Sequence, residues 1–123
     1  MEKSKGADIR QVSLNNAEHY TWGKNCDGWH LVKVDELSVI MEKMPPGTSE
    51  VKHFHNKARQ FFYIISGEAS FEIGEENFIL KENEGIEVPP EIPHRISNRS
   101  NKEIQFIVVS QPKSHGDRVV LTE

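Results

Sequence analysis

An all-β fold, a sandwich or barrel of short strands, is predicted for this chain by three observations. Short β-rich runs recur at regular spacing, clusters of turn residues separate them, and no segment carries a helical period. At 123 residues the chain fits one domain, burying about two-thirds of its unfolded surface around a single core.

Taken in order, residues up to about Asn16 read as an N-terminal arm in which Val12 and Leu14 could pair as a short strand. Tyr20 to Trp29 reads as a turn-rich loop with two indoles. It is either a hydrophobic flap packed over the barrel or a partner, or it places Trp22 or Trp29 at a pocket mouth. Strands are then expected at Trp29–Val34, Leu37–Met44, Glu50–His55, Gln60–Ile65, Ala69–Ile73, Asn77–Leu80, Ile86–Val88, His94–Ser97 and Ile104–Ser110. The breaks between them carry turn chemistry, as in Pro45-Pro46-Gly47, Ser66-Gly67 and Gly74-Glu75. After Gln111 the tail is polar, with His115 solvated, until Val119–Leu121 offers a last edge strand. The expected organisation is an arm and flap over 1–28, a barrel over 29–112 and a tail over 113–123.

Strand alternation assigns faces. With Gln60 inward, Phe62 and Ile64 line the interior as expected substrate-pocket residues, while Phe61, Tyr63 and Ile65 face the other way. A strand apolar on both faces is buried on both, so a homodimer is expected.

The net charge of -4 argues against a nucleic-acid partner, which would call for a clustered basic face. Cys26 is the only cysteine, which rules out an intramolecular disulfide and a multi-thiolate metal site. No run of 18 apolar residues and no signal-like core is present, so no membrane partner and a cytoplasmic location are expected.

His53 and His55 share one face of their strand, about 6.6 Å apart along the backbone, close enough for two imidazoles to lean onto one ion. Gln60 opens the next apolar run and His94 a later one, so neighbouring strands can complete a four-ligand site.

The pattern Gly47-x5-His53-x-His55-x4-Gln60-x6-Gly67 resembles the first motif of the cupin superfamily at every spacing, and Pro89, His94 and Asn98 resemble most of the second. The resemblance implies a double-stranded β-helix, or jelly-roll, cupin barrel of the small single-domain type. It also implies a divalent transition metal, Fe, Ni, Zn, Mn or Cu, on His53, His55, Gln60 and His94. Three departures stand out. Gln60 replaces the family's usual glutamate, Asn83 and Glu91 occupy glycine positions of the second motif, and Gly85 falls two positions late. Asn83 tolerates a left-handed turn, whereas Glu91 there must either avoid positive φ or bear strain.

Three imidazoles and an amide oxygen bring no negative charge, so a divalent ion would keep its full charge and act as a stronger Lewis acid, held less tightly than with a glutamate. Four ligands leave open positions, the layout of a working site. The expected function is a small-molecule enzyme that uses the metal as a Lewis acid on a hydroxy-carbonyl or sugar-acid substrate, of isomerase, epimerase or lyase type. The alternatives are an iron- or copper-dependent dioxygenase and a non-catalytic sugar-binding cupin. Catalytic residues are not identifiable from spacing. His30, Glu42, Tyr63 and Glu91 qualify by type as acid–base groups, and Lys43, Arg59 and Arg95 as carboxylate binders. Cys26, with no activating base nearby in sequence, does not read as a catalytic thiol.

Overall fold

A computed structural model describes residues 9–121. Eleven strands form two antiparallel sheets: β1 (Glu18–Trp22), β2 (Cys26–Val34), β3 (Leu37–Met44), β4 (His53–His55), β5 (Arg59–Ser66), β6 (Ala69–Ile73), β7 (Glu76–Leu80), β8 (Gly85–Val88), β9 (His94–Ser97), β10 (Ile104–Gln111) and β11 (Arg118–Val120). The six-stranded sheet runs β1-β2-β3-β10-β5-β8 and the five-stranded sheet β11-β4-β9-β6-β7. After β3 the chain alternates between the sheets, with β6 and β7 crossing as one hairpin of the five-stranded sheet, which is the double-stranded β-helix expected from the sequence.

The alternation read from sequence sets the core. Gln60, Phe62 and Ile64 on β5 are buried, as are Ile104, Phe106, Val108 and Ser110 on β10. Phe62 packs edge-on against Phe71 at 5.1 Å and lies 6.1 Å from Phe106, closing the two sheets over each other. On the outer face, strand register aligns Trp29, Met41, Ile107 and Tyr63 in one row and Val39, Val109 and Phe61 in the next. Phe61 and Ile65 keep 42% and 39% of their surface exposed in the single chain.

Two expectations at the N-terminal end are corrected. Val12 and Leu14 lie in no strand. Ser13 and Asn16 form a local turn, with the Ser13 amide donating to Asn16 Oδ1 at 2.8 Å and the Ala17 amide to the Ser13 carbonyl at 2.9 Å, which diverts the backbone from a ladder. The segment Tyr20 to Trp29 is a β-hairpin rather than a turn-rich loop, with Trp22 packed against the core. Gly23 and Asn25, at φ 52° and 61°, make its turn and let β1 and β2 pair in full register. Residues 1–8 of the expected arm lie outside the described residues.

Gly28 has a specific purpose in that hairpin. It sits opposite Tyr20, and a Cβ there would fall 2.1 Å from the Tyr20 ring, so only glycine lets this ring lie across β2 and reach β3.

Asn83 and Glu91 both adopt positive φ, 65° and 70°. Glu91 therefore takes the strained alternative. Its conformation is held by its amide, which donates to the His55 carbonyl at 2.7 Å. Glu91→Gly removes a left-handed penalty of about 1–2 kcal/mol and adds about 0.5–1 kcal/mol of unfolded-state entropy. A net gain of roughly 0.5–1 kcal/mol in urea denaturation is expected. A lower midpoint would show that the loop bears no such strain.

Candidate metal centre and its cavity

β4 supplies His53 and His55 and β9 supplies His94, directly across from His53 in the ladder. All three are buried, with ring centroids 4.4 to 5.6 Å apart. One ligating nitrogen from each falls within 4.8 Å of the others. Nitrogens bound to a common ion lie at most about 4.2 Å apart, so a small rotation of the rings suffices.

The tautomers follow from the neighbours. His53 Nδ1 lies 2.7 Å from the Val51 carbonyl and His94 Nδ1 3.0 Å from the Ile92 carbonyl. A carbonyl only accepts, so each Nδ1 carries the hydrogen and each Nε2 presents a lone pair, the arrangement that orients imidazoles toward a metal. Burial pushes His53 down to about 3 and His55 down to about 4, and lowers His94 as well, so all three stay neutral and ligating across the physiological range.

Gln60 joins His53 and His55 on the cavity wall. Its Nε2 donates to Ser110 Oγ at 3.0 Å, which fixes the amide and leaves Oε1 buried with no partner. His94 Nε2 and both ring nitrogens of His55 are likewise buried and unpaired among the described residues. Buried polar atoms without partners cost about 1–3 kcal/mol each, and a cation that takes a lone pair from one nitrogen of each imidazole removes part of that cost. The donor set therefore fits a transition metal.

The cage opens into a cavity of about 670 Å³ between β1–β3 and the β4–β11 edge. Trp22, Ile40, Phe62 and Val108 make its apolar wall, and Glu42, Glu50, His30 and Arg118 its polar one. Tyr20 donates from its hydroxyl to Glu42 Oε2 at 2.7 Å, and the Ile96 amide donates to Glu50 Oε1 at 3.0 Å. Burial pushes Glu42 up to about 7 despite the Tyr20 hydrogen bond. It pushes Glu50 up to about 8, with repulsion from Glu42 adding to it.

Of the acid–base candidates, Glu42 and His30 face this cavity. Tyr63 lies outside it, near Asn83, and Glu91 is in its exposed loop. Ile64 is fully buried in the core below the cavity, so Phe62 alone of the expected pair lines the wall. The three expected carboxylate binders lie elsewhere: Arg59 pairs with Glu87 at 2.6 Å, Arg95 with Glu72 at 2.9 Å, and Lys43 sits over Trp29 at 5.4 Å. Cys26 is buried and its thiol is pushed up by burial. Trp22 reaches the cavity and Trp29 does not, while His115 sits exposed at the rim. Glu50, Arg118 and Ser110 had no signal in the sequence. The strand expected over Glu50–His55 begins only at His53, so Glu50 precedes it and alternation does not place it, and Arg118 arrives by a contact across the whole chain.

A sequence-family model described as Cupin domain matches residues 40–110, more than half of the chain. Uncharacterized protein MJ1618 of Methanocaldococcus jannaschii is 30% identical over 79 residues, 63% of this chain and 63% of that protein. The chain thus spans less than two thirds of the length of the curated relatives it matches. A sugar phosphate isomerase of the cupin superfamily from Silicibacter pomeroyi superposes with a TM-score of 0.74 at 16% identity, over 85% of this chain and 76% of that one. The polyketide cyclase RemF from Streptomyces resistomycificus superposes with a TM-score of 0.77 at 17% identity, over 94% of this chain and 89% of that one. Among the described residues no helix is long and apolar enough to cross a membrane.

Proposed function

The chain belongs to the cupin family, and on that premise we propose that it is a small-molecule enzyme holding a divalent transition metal, Fe, Ni, Zn, Mn or Cu, on His53, His55, Gln60 and His94. Its reaction class is isomerisation, epimerisation or lyase-type elimination on a hydroxy-carbonyl or sugar-acid substrate. The observation that carries this reading is the cluster of three buried imidazoles, with one ligating nitrogen of each within 4.8 Å of the others, beside an open cavity that His53, His55 and Gln60 line. When bound there, the metal supplies Lewis-acid polarisation of a substrate oxygen. That an isomerase and a cyclase share the fold supports the class.

The chain's own residues supply the proton chemistry. Glu42 and Glu50 each use one carboxyl oxygen in a hydrogen bond within the protein. Both residues line the cavity, and the second oxygen of each is the one offered to a substrate there. Proton transfer is most efficient when the group titrates near the working pH, as these two do. Glu50 holds a proton at neutral pH and can give it to a substrate oxygen, while Glu42, oriented by Tyr20, is the group better placed to accept one.

Incubation in heavy water with a panel of hydroxy-carbonyl compounds and sugar acids tests the proposal. Deuterium should enter the carbon next to the carbonyl without oxygen uptake, and Glu50→Gln should slow exchange by about a hundredfold or more. Oxygen consumption tied to turnover would replace the reading with a dioxygenase, and an unchanged sugar carried through purification would replace it with a binding protein. Gln60→Glu should retain metal more tightly, because a carboxylate cancels half of the ion's charge.

The outer rows through Trp29, Met41, Ile107 and Tyr63 support a homodimer formed on the six-stranded sheet. Light scattering should give twice the chain mass, and Tyr63→Asp should give the chain mass alone. A cytoplasmic location is part of the proposal, consistent with a lone buried thiol.

A further inference from the structure

Arg118 lines the cavity with its side chain exposed and has no ion-pair partner among the described residues, its charge reaching Glu42 and Glu50 only across the cavity. The other arginines with charged partners are neutralised at the surface, by Glu87 for Arg59 and by Glu72 for Arg95 and Arg99, and Lys33 in the same cavity pairs with Glu18 at 2.9 Å. No carboxylate among the described residues lies within ion-pair distance of Arg118, although Glu42 and Glu50 line the same cavity. Among the described residues its one side-chain contact at hydrogen-bonding range is His53 Nδ1, 3.5 Å from Nη2. That nitrogen already gives its hydrogen to Val51 and has no lone pair left to accept another, so the approach is a contact and not a bond.

The position is built. Arg118 pairs with His55 across β11 and β4, and the Asp117 carboxylate before it accepts from the Lys57 and Ala58 amides at 2.8 and 2.9 Å. These bonds fix the strand that carries the guanidinium beside the first imidazole of the cage. Arg118 also helps keep all three imidazoles neutral, since its charge disfavours their protonation. A planar guanidinium next to lone pairs that would hold a cation is complementary to a carboxylate with a second oxygen on the adjoining carbon framework.

We propose that Arg118 anchors a substrate carboxylate, and that the substrate is a hydroxy- or keto-carboxylic acid whose apolar body lies against Trp22, Ile40, Phe62 and Val108. This deepens the proposed function and rests on it for the second oxygen, which the cage receives. The carboxylate contact itself does not depend on the metal. It excludes neutral hydroxy-ketones and free sugars as the preferred class.

Calorimetric titration of zinc-loaded protein with salicylate, which carries a carboxylate beside a hydroxyl, and with catechol, which carries two hydroxyls alone, tests the proposal. Arg118→Gln should bind salicylate at least tenfold more weakly with catechol affinity and zinc content unchanged. Arg118→Lys should recover part of the loss, because it keeps the charge and loses the fork. Equal salicylate affinity in wild type and Arg118→Gln, or an equal loss for catechol, would overturn it, as would loss of zinc from Arg118→Gln. Zinc-stripped protein separates this inference from the proposed function. If the cage takes no zinc, the metal reading fails, while Arg118-dependent preference for benzoate over phenol still supports the anchor and its absence rejects it.

Discussion

His94→Ala is expected to lower the affinity for zinc by a hundredfold or more and to leave the apo fold standing. His94 is 1% exposed at the centre of the five-stranded sheet, between His53 on β4 and Ile73 on β6. Without it the remaining imidazoles come from one strand, and only the neutral, weakly binding amide oxygen of Gln60 is left to complete the set. Loss of a partner that merely orients a ligand costs about ten- to a hundredfold in metal affinity, so loss of the ligand costs more. The apo protein loses the ring's packing but is also relieved of an unpaired buried Nε2, which offset each other. Thermal melts read both effects. Zinc at a hundredfold excess over its dissociation constant should stabilise the wild type by about 2.7 kcal/mol. The same concentration should leave the variant near its apo midpoint. Equal zinc-induced shifts in the two proteins would remove His94 from the site.

Asn98→Ala is expected to destabilise the protein by about 2–4 kcal/mol. Asn98 is 1% exposed, and every polar atom of its side chain is used. Nδ2 donates to the Met44 and Lys102 carbonyls at 2.9 and 2.7 Å, and Oδ1 accepts from the Ser100 amide and hydroxyl at 3.0 and 2.7 Å. The side chain ties the end of β3 to the loop leading into β10, so alanine strips the buried Met44 carbonyl of this donor, leaves the Lys102 carbonyl with only the Ser100 hydroxyl, and frees both Ser100 groups. Asn98→Asp separates shape from hydrogen bonding: it keeps the volume but turns acceptors toward both carbonyls, and should lose as much stability as alanine at neutral pH. Urea denaturation measures the loss, and a loss under about 1 kcal/mol in both variants would contradict this account.

The strands from β3 to β10 were legible because alternation and turn chemistry agree there, and Phe62, Ile64, Phe106 and Val108 all fall on the buried face that period two predicts. The three histidines were legible because two share a strand and the third opens another at a recognisable spacing. What alternation does not reach was not legible. Glu50 lies in an irregular stretch held by its carboxylate bond to the Ile96 amide, where strand parity says nothing about direction. Tyr20 enters the cavity only because Gly28 opposite it lacks a side chain, a relation that exists once β1 and β2 are paired. Arg118 sits in a polar tail whose register against β4 depends on Asp117 capping a loop 60 residues earlier, at Lys57. Local sequence places the ligands, and long-range topology places the groups that surround them.

The most direct test of the central claim is a crystal of zinc-loaded protein with diffraction recorded on both sides of the zinc absorption edge. One anomalous peak per chain is predicted, bound by His53, His55 and His94 nitrogens at about 2.0–2.1 Å and by Gln60 Oε1 at about 2.0–2.2 Å. A peak that excludes any of the three imidazoles, or no peak in this cavity from protein soaked in excess zinc, would contradict it.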